Sequence, residues 1–511
     1  MSKTFDADVA IIGYGPTGVS AANFLGIRGV RTIAFERDAN VYSRARAVTV
    51  NDWTMRIFQS VGLDAALKRD MDETYALRWV TYDGQELSRV AFPPSELGHA
   101  RSYAIYQPEM EKTLRAGAAR YKEQVSVDFG VEVSGLTQDA DGVTLTVTNP
   151  KTGTARQSRV RYVLACDGGS SGTREQLGIP LIGDTLETRW VVIDAKVKRW
   201  WPNRHILTFW SDKRRPVVDI ALSMGNHRWE FPLEPDESES DFATHDQLWQ
   251  LLDTLGVNRD DVEIHQHAFY KHHVRHADRW RDGRVMLLGD AAHLMPPWAG
   301  SGMQSGIRDA ENICWKLAAV LNGSLPESVL DSYQQERAPD VARYTQISVD
   351  LGRIIKQELS PEEVTAMQPP PEAPPQLPPL LQPPTLQQGW VNATTHEASP
   401  IGKYIPQPRV ATTNGQLTLL DQAIGNGFVM LGDGVDPATL LTPEQKRGWD
   451  ALGTRYIAVY APHQPSQQQG DVIDIDGTLL VWMRRHCTTV IAVRPDRFVA
   501  AAQSYSLSVP A

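Results

Sequence analysis

The chain has few cysteines and none of the spacings that cysteine chemistry requires. Only three occur in 511 residues, Cys166, Cys314 and Cys487, so the sequence has neither a CxxC redox pair nor a zinc-binding pattern. Cysteines this sparse also exclude a disulfide framework. We therefore expect reduced thiols, no metal site and a cytoplasmic location.

Long hydrophobic runs and an excess of positive charge are also missing. No apolar segment approaches the roughly 20 residues that a membrane-spanning helix needs. The net charge of −10 disfavours a general nucleic-acid surface. The chain enters its first predicted strand almost at once, so we expect no signal peptide. With 41% apolar and 22% charged residues, the composition predicts a globular protein of two or three domains without membrane or nucleic-acid partners.

What the chain does have is a glycine-rich loop in the context that dinucleotide binding requires. The loop GYGPTG follows an apolar strand predicted over 8–12 and opens a helix predicted over 16–26. Gly13 would allow the tight turn, Gly15 the approach of a pyrophosphate, and Gly18 close packing of the helix on the strand. The amides at the helix N-terminus would face the phosphates.

A second strand and an acid complete this first motif. The strand predicted over 32–35 ends at Glu36, near the usual spacing for an acid that binds a ribose hydroxyl. A glycine-rich turn without a ligand is the alternative, but the order of strand, loop, helix, strand and acid favours a dinucleotide. The acid also disfavours a 2′-phosphate.

Two further motifs follow predicted strands. Asp167-Gly168 comes after a strand over 162–165, and Gly289-Asp290 after one over 285–288, before a helix over 307–321. Taken alone, Asp167 is better explained by a turn. Asp290 could bind sugar-like hydroxyls or cap a helix, and the residues leave both open.

The composition and the predicted secondary structure change at several points along the chain. Strands and helices alternate over 1–180 and again over 281–357, whereas 181–280 is rich in Trp and His. The Pro-rich stretch over 358–396 is expected to be a linker or a strap across the surface, with a docking peptide as the alternative. The pattern of 397–511 predicts a third α/β unit. The strands predicted for the Trp- and His-rich region cover 190–197, 206–210, 217–223 and 228–232, and those of the third unit 428–431, 455–460, 479–482 and 489–493.

The three motifs, in this order and spacing, resemble the p-hydroxybenzoate hydroxylase superfamily of FAD-dependent aromatic monooxygenases. Within it the chain is most similar to the 3-(3-hydroxyphenyl)propionate hydroxylase and phenol hydroxylase-like group. The resemblance covers nearly the whole chain except the Pro-rich insert. The segments that carry it best are 283–297, 302–317, 228–231, 332–337, 474–477 and 494–497.

The resemblance implies an α/β fold of three parts. A Rossmann-like (GR2-type) FAD-binding domain over 1–180 and 281–357 would carry an inserted antiparallel β-sheet substrate domain over 181–280. After the linker, 397–511 would form a thioredoxin-like domain. Because this domain lacks CxxC, a structural or dimerisation role is expected, with a homodimer possible.

The resemblance also implies a non-covalent FAD site built from both glycine loops. Ser301 and Gln304 stand where the family usually has Gln and Asn, and both are polar, so FAD binding is expected to survive. The predicted cofactor-binding residues are Gly13, Gly15, Pro16, Thr17, Gly18, Glu36, Arg37, Arg46, Gln107, Asp167, Gly289, Asp290, Pro297, Gly300, Ser301, Gly302, Met303 and Gln304.

The activity implied is hydroxylation of a phenolic substrate ortho or para to an existing hydroxyl, in aromatic catabolism. NADH or NADPH would reduce FAD from a transient docking position, and O2 would form a flavin C4a-hydroperoxide. Pro297 would offer its carbonyl to the substrate hydroxyl, and Tyr270 and His272 are candidate catalytic groups, with solvated or core-edge histidines as the alternative.

Substrate-binding residues are the least constrained. Trp229 and Phe231 share one strand face and could form a pocket wall with Pro297 and Trp298, core packing being the alternative. Cations in the sheet region could bind an acidic side chain of the substrate, although surface arginines explain them equally well; they are Arg204, Arg214, Arg215 and Arg228.

Two other classes of flavoprotein are disfavoured because their motifs are missing from the sequence. The chain lacks the WxWxIP motif of flavin-dependent halogenases and the FxGxxxHxxxWP motif of Baeyer–Villiger enzymes. A polyketide or hydroxypyridine-type hydroxylase of the same superfamily, or a flavin-binding scaffold without oxygenase activity, are the alternatives that stay open.

Overall fold

The computed structural model describes residues 4–360, 362–363, 378–394, 396, 398–464 and 468–510. Residues 361, 364–377 and 395 of the predicted Pro-rich segment therefore lie outside the described residues. Among the described residues, no helix has the length and apolar character needed to cross a membrane.

The first segment alternates strands and helices up to residue 176. Its strands are β1 (Ala7–Ile12), β2 (Thr32–Glu36), β3 (Thr49–Asn51), β4 (Asp72–Glu73), β5 (Ala76–Val80), β6 (Glu86–Ala91), β7 (Ser102–Ala104), β8 (Val125–Phe129), β9 (Glu132–Gln138), β10 (Val143–Thr148) and β11 (Ala155–Ala165). Its helices are α1 (Pro16–Ile27), α2 (Asp52–Ser60), α3 (Asp64–Lys68), α4 (Gln107–Ala118) and α5 (Gly172–Gln176).

The middle of the chain is mostly strand, followed by two long helices. Its strands are β12 (Leu181–Val197), β13 (Ile206–Trp210), β14 (Val217–Ala221), β15 (Asn226–Pro232), β16 (Val262–Ala277), β17 (Arg281–Asp282), β18 (Val285–Leu287) and β19 (His293–Leu294). Its helices are α6 (His245–Thr254), α7 (Gly302–Leu321) and α8 (Ser332–Ile355).

The first sheet brings the three sequence motifs to one edge. Strands β18, β11, β1, β2 and β8 lie side by side and parallel, with β17 antiparallel at the edge beside β18. The central parallel strands are apolar runs because both of their faces are buried, one against α1 and α7 and the other against β9 and β10. Gly13, Asp167 and Gly289 follow the carboxyl ends of the neighbouring strands β1, β11 and β18. In open α/β sheets, ligands bind at this edge of the strands.

The second sheet is larger than the predicted insert. Its order is β19-β16-β12-β15-β14-β13-β5-β6, and every pair is antiparallel except β13 with β5. The hairpin β5–β6 comes from residues 76–91 and β19 from 293–294, outside the predicted 181–280. The composition does not assign this hairpin to the second sheet, because the hairpin lies within the stretch where predicted strands and helices alternate.

The C-terminal unit is a separate seven-stranded sheet with order β21-β20-β24-β23-β22-β25-β26. Its strands are β20 (Arg409–Thr412), β21 (Leu417–Leu419), β22 (Val429–Asp433), β23 (Arg455–Tyr460), β24 (Val472–Asp474), β25 (Val490–Val493) and β26 (Val499–Ala502). Its helices are α9 (Leu420–Ile424), α10 (Pro443–Ala451) and α11 (Thr478–Arg485).

The strand predicted over 479–482 is wrong, because this segment belongs to α11. Leu479, Leu480 and Met483 are buried, while Val481 between them is 54% exposed. Burial at i, i+1 and i+4 matches the helical period rather than the alternation of a strand. The short apolar run does not distinguish the two from sequence alone.

Buried ion pairs join the C-terminal unit to helices α2 and α8. Glu336 on α8 accepts hydrogen bonds from Arg494 at 2.7 and 2.9 Å and from Lys316 at 2.8 Å, and all three side chains are fully buried. Arg56 on α2 pairs with Asp421 at 2.7 Å. Breaking such buried pairs is strongly destabilising, so they fix how the two units meet.

Candidate active site

A cavity of about 380 Å³ lies between the first sheet's ligand-binding edge and the second sheet. Gly15, Gly168 and Asp290, one from each motif, line it. Residues 295–304, between β19 and the start of α7, line it as well. The loops almost 300 residues apart therefore share one site.

The three glycines of the first loop have different surroundings. A Cβ on Gly13, which has φ +90°, would lie 2.5 Å from the Cys166 carbonyl oxygen, and one on Gly18 would lie 2.0 Å from that of Gly13. A Cβ on Gly15 would meet no atom within 4 Å. Gly13 and Gly18 thus serve backbone packing, while Gly15 leaves open space in front of α1. That space suits a pyrophosphate at a helix N-terminus.

Helix α7 presents a second free N-terminus to the cavity. Its first backbone bond runs from Ser305 N to Ser301 O at 2.8 Å. The amides of Gly302, Met303 and Gln304 make no hydrogen bond to any described residue, and all three residues line the cavity. The helix begins five residues before its predicted start at 307. Free amides and the helix dipole favour an anionic group here.

Asp290 is the acid that faces this space without a partner. It lies in the single turn Gly289–Ala291, whose N-cap is Leu288, so it caps no helix. Its carboxylate makes no hydrogen bond to any residue within the described ranges. Burial raises the pKa of Asp290. The arrangement leaves the carboxylate available to hydroxyl groups in the cavity.

Asp167 is used differently. Its carboxylate accepts hydrogen bonds from Ser171 Oγ at 2.6 Å and from Thr173 N at 3.0 Å at the start of α5. This is the turn that the sequence taken alone favoured, and it leaves less of the carboxylate for a ligand than at Asp290. Gly168, with φ +81°, carries the chain past the cavity.

Glu36 lies at the end of β2 and holds the first loop. Its carboxylate accepts from Tyr14 N at 2.6 Å and from Asp38 N at 2.8 Å. Arg37 is exposed and pairs with Asp38 at 3.8 Å. None of these residues lines the cavity, so the adenosine end of a dinucleotide would extend beyond it along the first loop.

Two glutamines brace the backbone around the cavity. Gln107 Oε1 accepts from Arg46 N at 2.8 Å and from Ala47 N at 2.7 Å. Gln304 Oε1 accepts from Asn51 N at 2.9 Å and from Thr54 Oγ1 at 2.7 Å, while its Nε2 donates to Gly300 O at 2.7 Å. The longer side chain at 304 thus ties α7 to α2.

Ser301, the other departure from the family pattern, also points back to the protein. Its Oγ donates to Ala299 O at 3.0 Å, and the residue is 1% exposed. Gly300 has φ +58°, and a Cβ there would lie 2.7 Å from Thr49 Oγ1. A small residue is therefore required at this turn.

The second sheet closes the cavity with an apolar wall. Phe209, Val218 and Ile220 on β13 and β14 are nearly inaccessible and pack as one cluster with Trp190. Leu380 and Leu381, which lie within the predicted Pro-rich segment, also line the cavity. The wall keeps water away from one side of the site, as chemistry at a reactive cofactor requires.

Comparisons with known proteins agree with this architecture. A family model described as FAD binding domain matches residues 6–348, and one described as HcaD C-terminal domain matches residues 402–508. The chain is 35% identical to a 3-(3-hydroxy-phenyl)propionate/3-hydroxycinnamic acid hydroxylase of Klebsiella pneumoniae subsp. pneumoniae, over 97% of this chain and 91% of the relative. It is 35% identical to the protein of that name from Burkholderia cenocepacia, over 96% and 93%.

The chain belongs to the FAD-dependent aromatic hydroxylases. A crystal structure of aklavinone-11 hydroxylase with FAD and aklavinone matches with a TM-score of 0.81 at 22% identity, over 99% of this chain and 96% of that one. The predicted family, FAD as cofactor and a mixed α/β fold are confirmed.

In this hydroxylase the face that carries Trp229 and Phe231 is turned away from the cavity. Both side chains are fully buried in a cluster with Leu248 and Leu252 of α6. The strand alternation places Glu230, between them, on the cavity side. The core-packing alternative therefore describes Trp229 and Phe231, and the predicted wall is formed by the opposite face.

Tyr270 and His272 lie on β16, on the same face of the sheet as Trp190, but neither lines the cavity. The His272 ring is 4.9 Å from that of Trp298, which does line it, and 5.8 Å from that of Trp190. Burial lowers the pKa of His272 to about 4, so its imidazole is neutral at pH 7. Burial raises the pKa of Tyr270.

Pro297 is the residue whose carbonyl is predicted to contact the substrate hydroxyl. It lines the cavity together with Trp298. Its carbonyl accepts a hydrogen bond from Gly300 N at 2.7 Å. A carbonyl oxygen has two lone pairs, so one acceptor position is left.

The four arginines expected to bind a substrate carboxylate are all paired within the protein. None of them lines the cavity. The cavity-lining arginines are instead Arg46 and Arg101, and Arg101 donates to Asp52 at 2.8 Å. The partners of the four are Asp72 for Arg204, Glu234 for Arg214, Glu234 and Glu237 for Arg215, and Asp194 for Arg228.

Proposed function

We propose that the chain hydroxylates a phenolic aromatic substrate, ortho or para to an existing hydroxyl, with NADH or NADPH and O2 as co-substrates. The observation that carries the proposal is that a single cavity joins a dinucleotide cradle to an apolar wall. FAD, when bound, supplies the redox chemistry that activates O2. The chain's own residues bind, orient and shield the reactants.

The residues that would hold FAD follow from the geometry of the site. The open space at Gly15 and the first amides of α1 suit the pyrophosphate, and the unpartnered Asp290 suits the hydroxyls of the ribityl chain. The free amides at the start of α7 would bind the pyrimidine edge of the flavin and favour its reduced, anionic form. Glu36 would accept from the adenosine ribose through the lone pairs that its two backbone bonds leave.

The substrate ring would lie against the wall formed by β13 and β14. Trp298 and Pro297 border the same space, and we assign the remaining acceptor position of the Pro297 carbonyl to the substrate hydroxyl. The described residues contain a single dinucleotide cradle of this kind, so the nicotinamide would dock transiently near the flavin.

We propose that the C-terminal unit is a thioredoxin-like domain without redox function, acting in structure or in a homodimer. Its one cysteine, Cys487, is exposed and has no second cysteine beside it in the sequence. Redox exchange needs a resolving thiol. We also propose that the protein acts in aromatic catabolism in the cytoplasm.

A polyketide-type or other large neutral aromatic substrate is the second candidate. It is supported by the pairing of Arg204, Arg214, Arg215 and Arg228, which leaves the predicted carboxylate site without its cations. An acidic substrate would instead have to use Arg46 or Arg101. In an acid-binding site, a neutral analogue would leave the cation that binds the carboxylate unpaired, which is costly. Such a site should therefore bind the acid much more tightly than its neutral analogue.

The test is substrate-stimulated NADH and NADPH oxidation with identification of the product. The panel should contain 3-(3-hydroxyphenyl)propionate, its methyl ester, a hydroxypyridine and a polycyclic phenol. A product that carries one hydroxyl group more than the substrate supports the proposal. Equal efficiency with the acid and its ester favours a neutral substrate. If no compound of the panel is hydroxylated, the alternative of a flavin-binding scaffold without oxygenase activity is favoured.

A further inference from the structure

One carboxyl group of the second sheet faces the cavity and forms only a long ion pair within the described part of the chain. Glu230 on β15 is 8% exposed and faces the cavity, while its neighbours in sequence face the core. Across the sheet it pairs with Val218 and Val192, both apolar. Its carboxyl makes no hydrogen bond to any residue in the described part of the chain. The side chain keeps 11% of its surface exposed and lines the cavity, so the carboxyl is accessible to a molecule bound there.

The nearest cation does not neutralise Glu230 by a close contact. Arg228 Nη1 lies 3.9 Å from Glu230 Oε1. The guanidinium of Arg228 is instead held by Asp194 at 2.7 and 2.9 Å and donates to the carbonyls of Arg46, at 3.1 Å, and Ala45. Arg228 is therefore fixed in place by other groups.

Three ionisable groups set the charge environment of Glu230. Desolvation is the largest effect and raises its pKa; Arg228 acts in the opposite direction and Asp194 raises it further. Tyr270 on the adjacent part of the sheet also interacts with it. A carboxylate with a raised pKa is a stronger base than one in water, and therefore better matched to a phenol.

We propose that Glu230 accepts the phenolic proton of the substrate. The inference rests on the proposed function, since it requires a phenol in this cavity. The substrate O–H bond breaks, a Glu230 O–H bond forms, and the electron pair stays on the phenolic oxygen, so no oxidant or reductant is consumed. The resulting phenolate is a stronger ring nucleophile. The Pro297 carbonyl cannot take a proton at neutral pH, and Asp290, the other carboxylate of the cavity without a hydrogen bond, is assigned to the ribityl chain.

The experiment measures the ionisation of bound 3-(3-hydroxyphenyl)propionate, without turnover, in the FAD-loaded enzyme kept free of O2 and NADH. Absorption difference spectra distinguish bound phenol from bound phenolate at each pH. Wild type should bind phenolate at pH 7.5, well below the ordinary pKa of a phenol of about 10. Glu230→Gln should bind the neutral phenol there, and Glu230→Asp, which keeps the carboxylate, should restore part of the phenolate.

Steady-state kinetics give a second readout. Glu230→Gln should lower kcat/KM by about 10²- to 10⁴-fold, the usual contribution of a positioned base. In the Gln variant the rate should rise about tenfold per pH unit below the pKa of the phenol, because only the phenolate already present in solution would react. The wild-type rate should not show this dependence on pH. Glu263→Gln, an exposed glutamate on β16, is the matched control.

The outcomes separate the two proposals. A Gln variant that retains FAD and binds phenolate with the pH dependence of wild type overturns the role of Glu230. If wild type binds phenolate but forms no hydroxylated product, the proposed function fails while the role of Glu230 stands. If wild type binds only the neutral phenol, Glu230 is not the proton acceptor.

Discussion

Replacing Asp290 by alanine should weaken FAD binding and leave the fold intact. The carboxylate lines the cavity, caps no helix and has no protein hydrogen bond among the described residues. In the holoenzyme it would accept from a ribityl hydroxyl. A hydrogen bond to a charged group contributes about 1.5–3 kcal/mol. Its loss should therefore raise the Kd for FAD by about 10- to 150-fold.

The same change should not destabilise the apoprotein. Burial raises the pKa of Asp290, so the folded state holds its proton more tightly than the unfolded chain does. Wild-type stability therefore falls as pH rises from the normal range of an aspartate through the raised pKa. Removal of the carboxyl removes this loss. The free energy of unfolding of the apo variant at pH 7 should equal or exceed that of wild type.

Flavin fluorescence titration of apoprotein gives the Kd, and thermal unfolding of the same samples gives the stability. Asp278→Ala is the control, since Asp278 is exposed and does not line the cavity. An unchanged Kd together with a lower melting temperature would refute the reasoning, because Asp290 would then be a structural residue only.

Two further substitutions test other parts of the account. Gly15→Val places a side chain where no atom lies within 4 Å, so the variant should fold but purify colourless; a yellow, fully loaded variant would show that the pyrophosphate does not bind at this loop. Cys487→Ser should leave phenol-stimulated NADH turnover unchanged, because the thiol is exposed and lacks a resolving partner; loss of turnover in a protein that melts like wild type would contradict a non-redox C-terminal domain.

Local sequence signals were sufficient where one motif carries both structure and chemistry. Gly13, Gly15 and Gly18 follow β1 as predicted, and α1 and β2 end within one residue of their predicted ends. Gly289-Asp290 likewise follows β18. The spacing of these motifs does not show that they share one cavity. That follows from the order β18-β11-β1, in which distant segments become neighbouring parallel strands.

The substrate side depended on tertiary information that the sequence lacks. Alternation shows that Trp229 and Phe231 share a face, but not whether α6 or the cavity covers it. Alternation along 217–221 and 228–232 could have identified Glu230 as an acid on the other face. The pairing of Arg228 with Asp194 required the register of β12 and β15. Leu380 and Leu381 carry no motif and reach the cavity only through the path of the chain after α8.

The most direct test of the central claim is NADH- or NADPH-dependent turnover of the FAD-loaded protein under ¹⁸O2. With a phenol that stimulates oxidation of the nicotinamide, the account predicts one ¹⁸O atom in a ring hydroxyl, ortho or para to the existing one. Nicotinamide oxidation without labelled product from any phenol in the panel would contradict it.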